Sequence, residues 1–381
     1  MSKKQKYLIL DNTLRDGEQM PGVVFTPKQK IELAKKASRF GVDYIDIMPA
    51  VSDTEKKLIR ALNKADLDAE IIASTMMGRD HVDIALDCGV SNIALFTALS
   101  DLHLKYKMRL SREDNMNRVV EVVDYAVDHG LSVFFAGEDA SRADLDYVVE
   151  FVREIEDRIE CFIPADTLGC LTPMQTYGFF RELGDRCSCR LGLHVHNDFG
   201  LATANTLAGL KAGAVLFSGT FTGIGERAGN APLEEVCVAL RFLERRGLGL
   251  KFNMITDVCR TVERYSGVGL QHHKPLVGLN AFSHESGIHA DGVIKKSRTY
   301  ENFEPGFIGR RRRFLFGKHS GRAVVRYVLE KHGISDMDVD EVLVEIKGIS
   351  SREQRSLTEG EVLELVKRLR HSDALAVSSG G

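Results

Sequence analysis

The sequence predicts an α/β protein, a (β/α)8 barrel followed by a small, mainly helical C-terminal region. From residue 7 to about residue 246, short apolar, β-rich runs alternate with longer amphipathic segments, and the alternation completes eight units. The segment after the first run, Asn12-Thr-Leu-Arg15-Asp16-Gly17-Glu18-Gln19, is not the glycine-rich turn that opens a doubly wound dinucleotide fold. Polar clusters fall directly after the apolar runs, where a barrel carries its chemistry.

The expected strands are residues 7–11, 44–48, 70–74, 92–96, 131–136, 160–165, 191–195 and 214–219. Helical periodicity covers 27–40, 112–129 and 142–156, and several such segments stop at glycine. After Gly247 the alternation ends. A helical segment and a polar, His-rich stretch follow, then amphipathic runs at 323–332, 338–346 and 358–370 and a small polar tail, 372–381, expected to fray. The expected organisation is a barrel over 1–280, a linker or lid over 281–317, and a helical subdomain over 318–381.

Composition narrows the function. The 381 residues are 44% hydrophobic, enough for one large core and a smaller appended region. With 51 basic and 54 acidic residues the formal charge is −3, so neither a nucleic-acid nor a membrane surface is expected. The arginines at 310–313 read as a solvated turn. Seven scattered cysteines without paired C-x-x-C units fit a reducing cytoplasm, and the N-terminal apolar run is too short for a signal peptide or membrane span.

The chemistry begins with Leu191-Gly-Leu-His194-Val-His196-Asn-Asp-Phe-Gly200. Side chains two apart on a strand share a face, so His194 and His196 present two imidazoles together, a good pair of ligands for a divalent metal. Arg15 and Asp16 stand side by side after the first strand, a fork of donors next to a hard oxygen ligand. Gly137-Glu138-Asp-Ala-Ser-Arg142 follows the fifth strand and Asp166-Thr167-Leu-Gly169 the sixth, where Thr167 can hydrogen-bond a carboxylate. Gly223-Ile-Gly225-Glu226-Arg227-Ala-Gly229-Asn230 follows the eighth and offers open backbone to a ligand.

These motifs, with Phe282-Ser-His-Glu-Ser-Gly-Ile-His289-Ala-Asp-Gly, together resemble the DRE-type TIM-barrel metalloenzymes that condense acetyl-CoA with 2-oxo acids, the 2-isopropylmalate, citramalate and homocitrate synthases. The resemblance covers roughly residues 6–330. Ser100-Asp-Leu-His-Leu-Lys-Tyr-Lys, Glu138-Asp-Ala-Ser-Arg-Ala-Asp-Leu, Phe199-Gly-Leu-Ala-Thr-Ala-Asn-Thr-Leu-Ala and Gly317-Lys-His-Ser-Gly321 look closest to homocitrate synthases of nitrogen fixation.

The resemblance implies an acyltransferase and assigns Asp16, His194 and His196 to a divalent metal (zinc, manganese or magnesium), with Asn230 completing or adjoining the shell. It implies that Arg15 polarises the ketone, Thr167 holds the acceptor carboxylate and Gln19 lies beside the acceptor, with the loop bearing Gly225, Glu226 and Arg227 also in the binding site. His289 is the candidate base, and Glu138 orients the thioester or its water. A homodimer is implied too, and 2-oxoglutarate is the favoured acceptor. Oxaloacetate, pyruvate, 2-oxoisovalerate and phosphonopyruvate are the alternatives.

Departures from the family pattern concern pocket shape. Ser74-Thr75-Met76-Met77 stands where relatives often carry His or Arg, which weakens the case for a long dicarboxylate, and Met48-Pro49 and Phe221-Thr222 are unusual. Among rival classes, an acyl-CoA lyase is disfavoured because residues 219–234 hold no cysteine. A biotin-linked carboxyltransferase is disfavoured by the lack of Ala-Met-Lys-Met. A non-catalytic binding protein is disfavoured because Arg15, Asp16 and both histidines are present.

Overall fold

The computed structural model describes residues 6–378. Eight parallel strands close into a barrel: β1 (Leu8–Asp11), β2 (Tyr44–Ile47), β3 (Glu70–Met76), β4 (Asn92–Ala98), β5 (Ser132–Glu138), β6 (Cys161–Asp166), β7 (Gly192–Val195) and β8 (Leu216–Gly219). Pairing of β1 with both β2 (Leu10 opposite Tyr44) and β8 (Leu8 opposite Leu216) seals the cylinder and leaves no free edge. The inner face repeats every second residue, and Leu10, Ile72, Ala94, Phe134, Cys161, Ile163 and Leu216 pack together as the core inside it.

The helices start where the local chemistry dictates. Thr26, Ser111 and Thr172 each form a reciprocal capping box, with Gln29, Asp114 and Gln175, at the starts of Pro27–Phe40, Arg112–Asp128 and Pro173–Arg186. The first of these stops at Gly41, whose φ of 113° relieves the last turn without a Cβ clash. The helix expected over 142–156 begins later, at Leu145, because Asp144 accepts a hydrogen bond from Asp146 N and caps it. Strands β3, β4 and β5 each run two residues past the expected end, carrying Met76, Ala98 and Glu138 toward the barrel mouth.

The chain divides into two compact units between Gly269 and Leu270. The boundary thus lies earlier than residue 280, and segments 281–317 and 318–381 fall within one unit. The stretch expected to be a linker is folded: β9 (Ser283–His284) pairs with β10 (Arg313–Phe316), which also pairs with β11 (Leu357–Thr358), and the helix Gly287–Lys295 lies between β9 and β10 in the chain. The helices Arg322–Lys331, Val339–Glu353 and Glu359–Ser378 complete this unit around Val324, Val328, Val342, Ile346, Val362 and Val366. The last helix takes in residues 372–378 of the expected frayed tail, and residues 379–381 lie outside the described residues. Arg310 donates to the carbonyls of Val277, Gly278 and Leu279, and Arg312 pairs with Glu301 and Glu304, so two of the four arginines serve the fold of this unit.

Candidate metal centre and acceptor cavity

Strand β7 ends by presenting His194 and His196 on one face, with Nε2 atoms 3.0 Å apart. The Asp16 carboxylate lies 3.7 Å from His194 Nε2 and 3.9 Å from His196 Nε2, and all three residues are buried. Two lone pairs that close repel unless a proton or a cation lies between them. Ligands at about 2.1 Å from one metal stand roughly 3 to 3.4 Å apart, so the trio needs little movement to hold one. Among the described residues, this is the one cluster of His, Cys, Asp and Glu able to do so.

The protonation states fit. Burial pushes His194 down to about 3 and lowers His196 as well, so both imidazoles are neutral and carry a free lone pair. Ser218 Oγ donates to Leu193 O and receives His194 Nδ1 at 2.7 Å, which places the proton on Nδ1 and leaves Nε2 to face the centre. Burial raises Asp16, but the Arg15 guanidinium at 2.8 Å, the two histidines and the Asn230 hydrogen bond together outweigh it and hold the carboxyl well below its ordinary range.

The Gly223–Asn230 loop closes the other side. Asn197 N donates to Gly229 O and Ala231 N to Val195 O, so the loop is zipped onto the end of β7. Asn230 Nδ2 donates to Asp16 Oδ1 at 2.6 Å, while its buried Oδ1 has no partner and is a neutral oxygen available to a cation. A Cβ at Gly225 would stand 2.1 Å from Asn230 Nδ2 and 2.6 Å from Asp16 Oδ1, so only glycine lets the loop pass this close.

Around this centre lies a cavity of about 340 Å³ at the carboxyl ends of the strands. Arg15, Asp16, Gln19, Glu138, Thr167, His194, His196, Glu226 and Arg227 line it together with an apolar wall. Arg15 is gripped from two sides, by Asp16 and by Asp46 at 2.7 Å. Thr167 Oγ1 accepts the Asp139 N–H at 2.8 Å, which leaves its own proton to donate. Both oxygens of Glu138 receive Lys107 Nζ at 2.6 Å, and His103 Nδ1 lies 3.1 Å from the same carboxylate.

Residues 6–262 match the HMGL-like family, and residues 276–354 match the homocitrate synthase post-HMGL domain-like family. The homocitrate synthase AksA of Methanopyrus kandleri is 40% identical over 98% of this chain and 94% of its own length. A probable 2-isopropylmalate synthase of the same organism is 43% identical over 90% of this chain and 70% of its length. This chain belongs to the DRE-TIM family of homocitrate, isopropylmalate and citramalate synthases. The HMG-CoA lyase of Bacillus subtilis shares the fold, with a TM-score of 0.64 at 20% identity over 71% of this chain and 97% of the lyase.

Within this synthase-family chain, eleven of the twelve residues singled out from the sequence belong to the barrel unit, and nine of those line the cavity. Asn230 touches it through Asp16, and Gly225 through the room it leaves. His289 belongs to the second unit, on the helix Gly287–Lys295, and stacks on Tyr300 with ring centroids 4.2 Å apart. The sequence reading missed Asp46, Ser218, His103 and Lys107. Asp46 and Ser218 had a signal: each is a polar residue at an inward position of an otherwise apolar strand run.

Proposed function

We propose that this protein is a metal-dependent acyltransferase that condenses acetyl-CoA with a 2-oxo acid and hydrolyses the resulting thioester. The observation that carries this reading is the buried Asp16, His194 and His196 trio beside the doubly gripped Arg15 in one barrel-mouth cavity. A divalent ion held by Asp16, His194 and His196 would supply Lewis acidity to the ketone of the acceptor. Mixed imidazole and carboxylate ligation does not choose among zinc, manganese and magnesium.

Arg15 directs its guanidinium at the ketone oxygen and offsets the negative charge that develops there. Thr167 donates its hydroxyl proton to the acceptor carboxylate, and Gln19 borders the acceptor. His289 takes a proton from the acetyl methyl group, whose carbon then bonds to the ketone carbon, and the oxygen on that carbon ends protonated. Glu138, held by Lys107, orients the water that cleaves the thioester and releases the CoA thiol. The expected assembly is a homodimer, checked by sedimentation. Among the described residues no helix is long and apolar enough to cross a membrane.

The four sequence stretches closest to homocitrate synthases favour 2-oxoglutarate; the cavity wall bears on that choice below. The reading is tested by following thiol release from acetyl-CoA across a panel of 2-oxo acids, with metal and after chelation. Turnover that needs metal and falls at least a hundredfold in Asp16→Ala and Arg15→Ala is expected. A metal-loaded protein that releases no thiol with any acceptor would sink the proposal.

A further inference from the structure

Resting on the proposed condensation, we infer that the acceptor is a 2-oxo acid with an uncharged, apolar side chain, branched or aromatic and larger than the methyl of pyruvate. The metal-site residues come from β7 and the loops after β1 and β8. In a closed barrel of eight strands β3, β4 and β5 stand across from β7, β8 and β1, while β6 lies beside β7, where Ala165 pairs with His194. The residues that β4, β5 and β6 present to the cavity below its rim are Ala94, Phe96, Ala136, Ile163 and Ala165, and β3 adds Ser74. They recur with period two, Ala94 and Phe96 on β4, Ile163 and Ala165 on β6, so the same inward face that builds the core continues into the cavity.

The floor is continuous with that core, since Leu10, Ala94 and Ile163 are shared between them. Met48 adds a further apolar side chain after β2. Three alanines where barrel interiors more often carry branched side chains leave room for ligand carbon.

Charge points the same way. A second carboxylate on the acceptor needs a cation to replace its water. Each basic side chain that lines the cavity already has an acidic partner: Arg15 has Asp16 and Asp46, Lys107 has Glu138, and Arg227 has Asp198. Ser74, the one polar group on β3 facing the cavity, donates its hydroxyl to Asp46 at 2.6 Å. The deep wall falls to the acceptor because CoA is too large for a space of about 340 Å³ and must extend outward through the mouth.

The test compares kcat/KM of the metal-loaded enzyme with 2-oxoisovalerate, 4-methyl-2-oxopentanoate, phenylpyruvate, pyruvate, oxaloacetate and 2-oxoglutarate. One of the first three should exceed each of the last three by at least tenfold. A preference for pyruvate or for either dicarboxylic acid overturns the inference and leaves the condensation standing. If no acceptor releases thiol, the condensation fails; calorimetric titration of the metal-loaded protein with each 2-oxo acid alone then decides the inference, which stands only if an apolar acid binds tightest.

Two variants probe the wall itself. Ala136→Phe should lower kcat/KM for the branched and aromatic acceptors at least tenfold more than for pyruvate, and an equal loss for all overturns the assignment. Phe96→Arg should raise 2-oxoglutarate relative to 4-methyl-2-oxopentanoate at least tenfold, and an unchanged ratio does the same.

Discussion

His194 and His196 bring two neutral imidazole nitrogens to 3.0 Å, an arrangement that needs either a proton or a shared cation between them. The His194 ring is held at Nδ1 chiefly by Ser218 Oγ at 2.7 Å, with Asn12 Nδ2 farther off at 3.5 Å. Ser218→Ala is therefore expected to weaken metal binding 10- to 100-fold with little change in thermal stability, as measured by chelator competition and a melting curve. Arg15 is similarly determined by its neighbours. Asp46 and Asp16 hold it as a charged, rigid fork, and this is the residue-scale reason that a two-residue sequence motif becomes a directed donor.

At the scale of elements, the loop after β1 is fastened to the helix Pro27–Phe40 through an internal ion cluster. Lys30, almost fully buried, donates to Glu18 at 2.5 Å and to Glu55 at 2.7 Å, and Glu18 in turn accepts Phe25 N. Glu18 lies three residues past Arg15, so this cluster braces the loop that carries the site. Lys30→Ala leaves two carboxylates without their cation and should cost about 3 to 5 kcal/mol of stability in denaturant titration. The same cluster shows a limit of reading periodicity. Lys30 sits on the buried face of an amphipathic helix, yet nothing local to residues 27–40 announces that its partners are Glu18 and Glu55.

At the scale of the whole molecule, each of the two units has its own hydrophobic core. Calorimetry should resolve more than one transition, and Val328→Ala, at a fully buried position of the second unit, should lower that unit's transition by about 2 kcal/mol while leaving the barrel's in place. The sequence by itself determined the eight-strand alternation, the His-X-His ligand pair, the Arg15-Asp16 pair and the glycine-rich loop, because strand period, residue chemistry and backbone freedom are local properties. It placed the strand ends of β3 to β5 two residues short and read the folded segment 281–317 as a linker, because strand length and burial are set by neighbours distant in the chain. Only the tertiary structure decided that Asp46 and Ser218 serve the site, that each cation of the cavity is already paired, and that the cavity wall formed by β4, β5 and β6 is apolar below its rim. Those facts depend on which strands stand opposite one another in a closed barrel, and no local pattern encodes that.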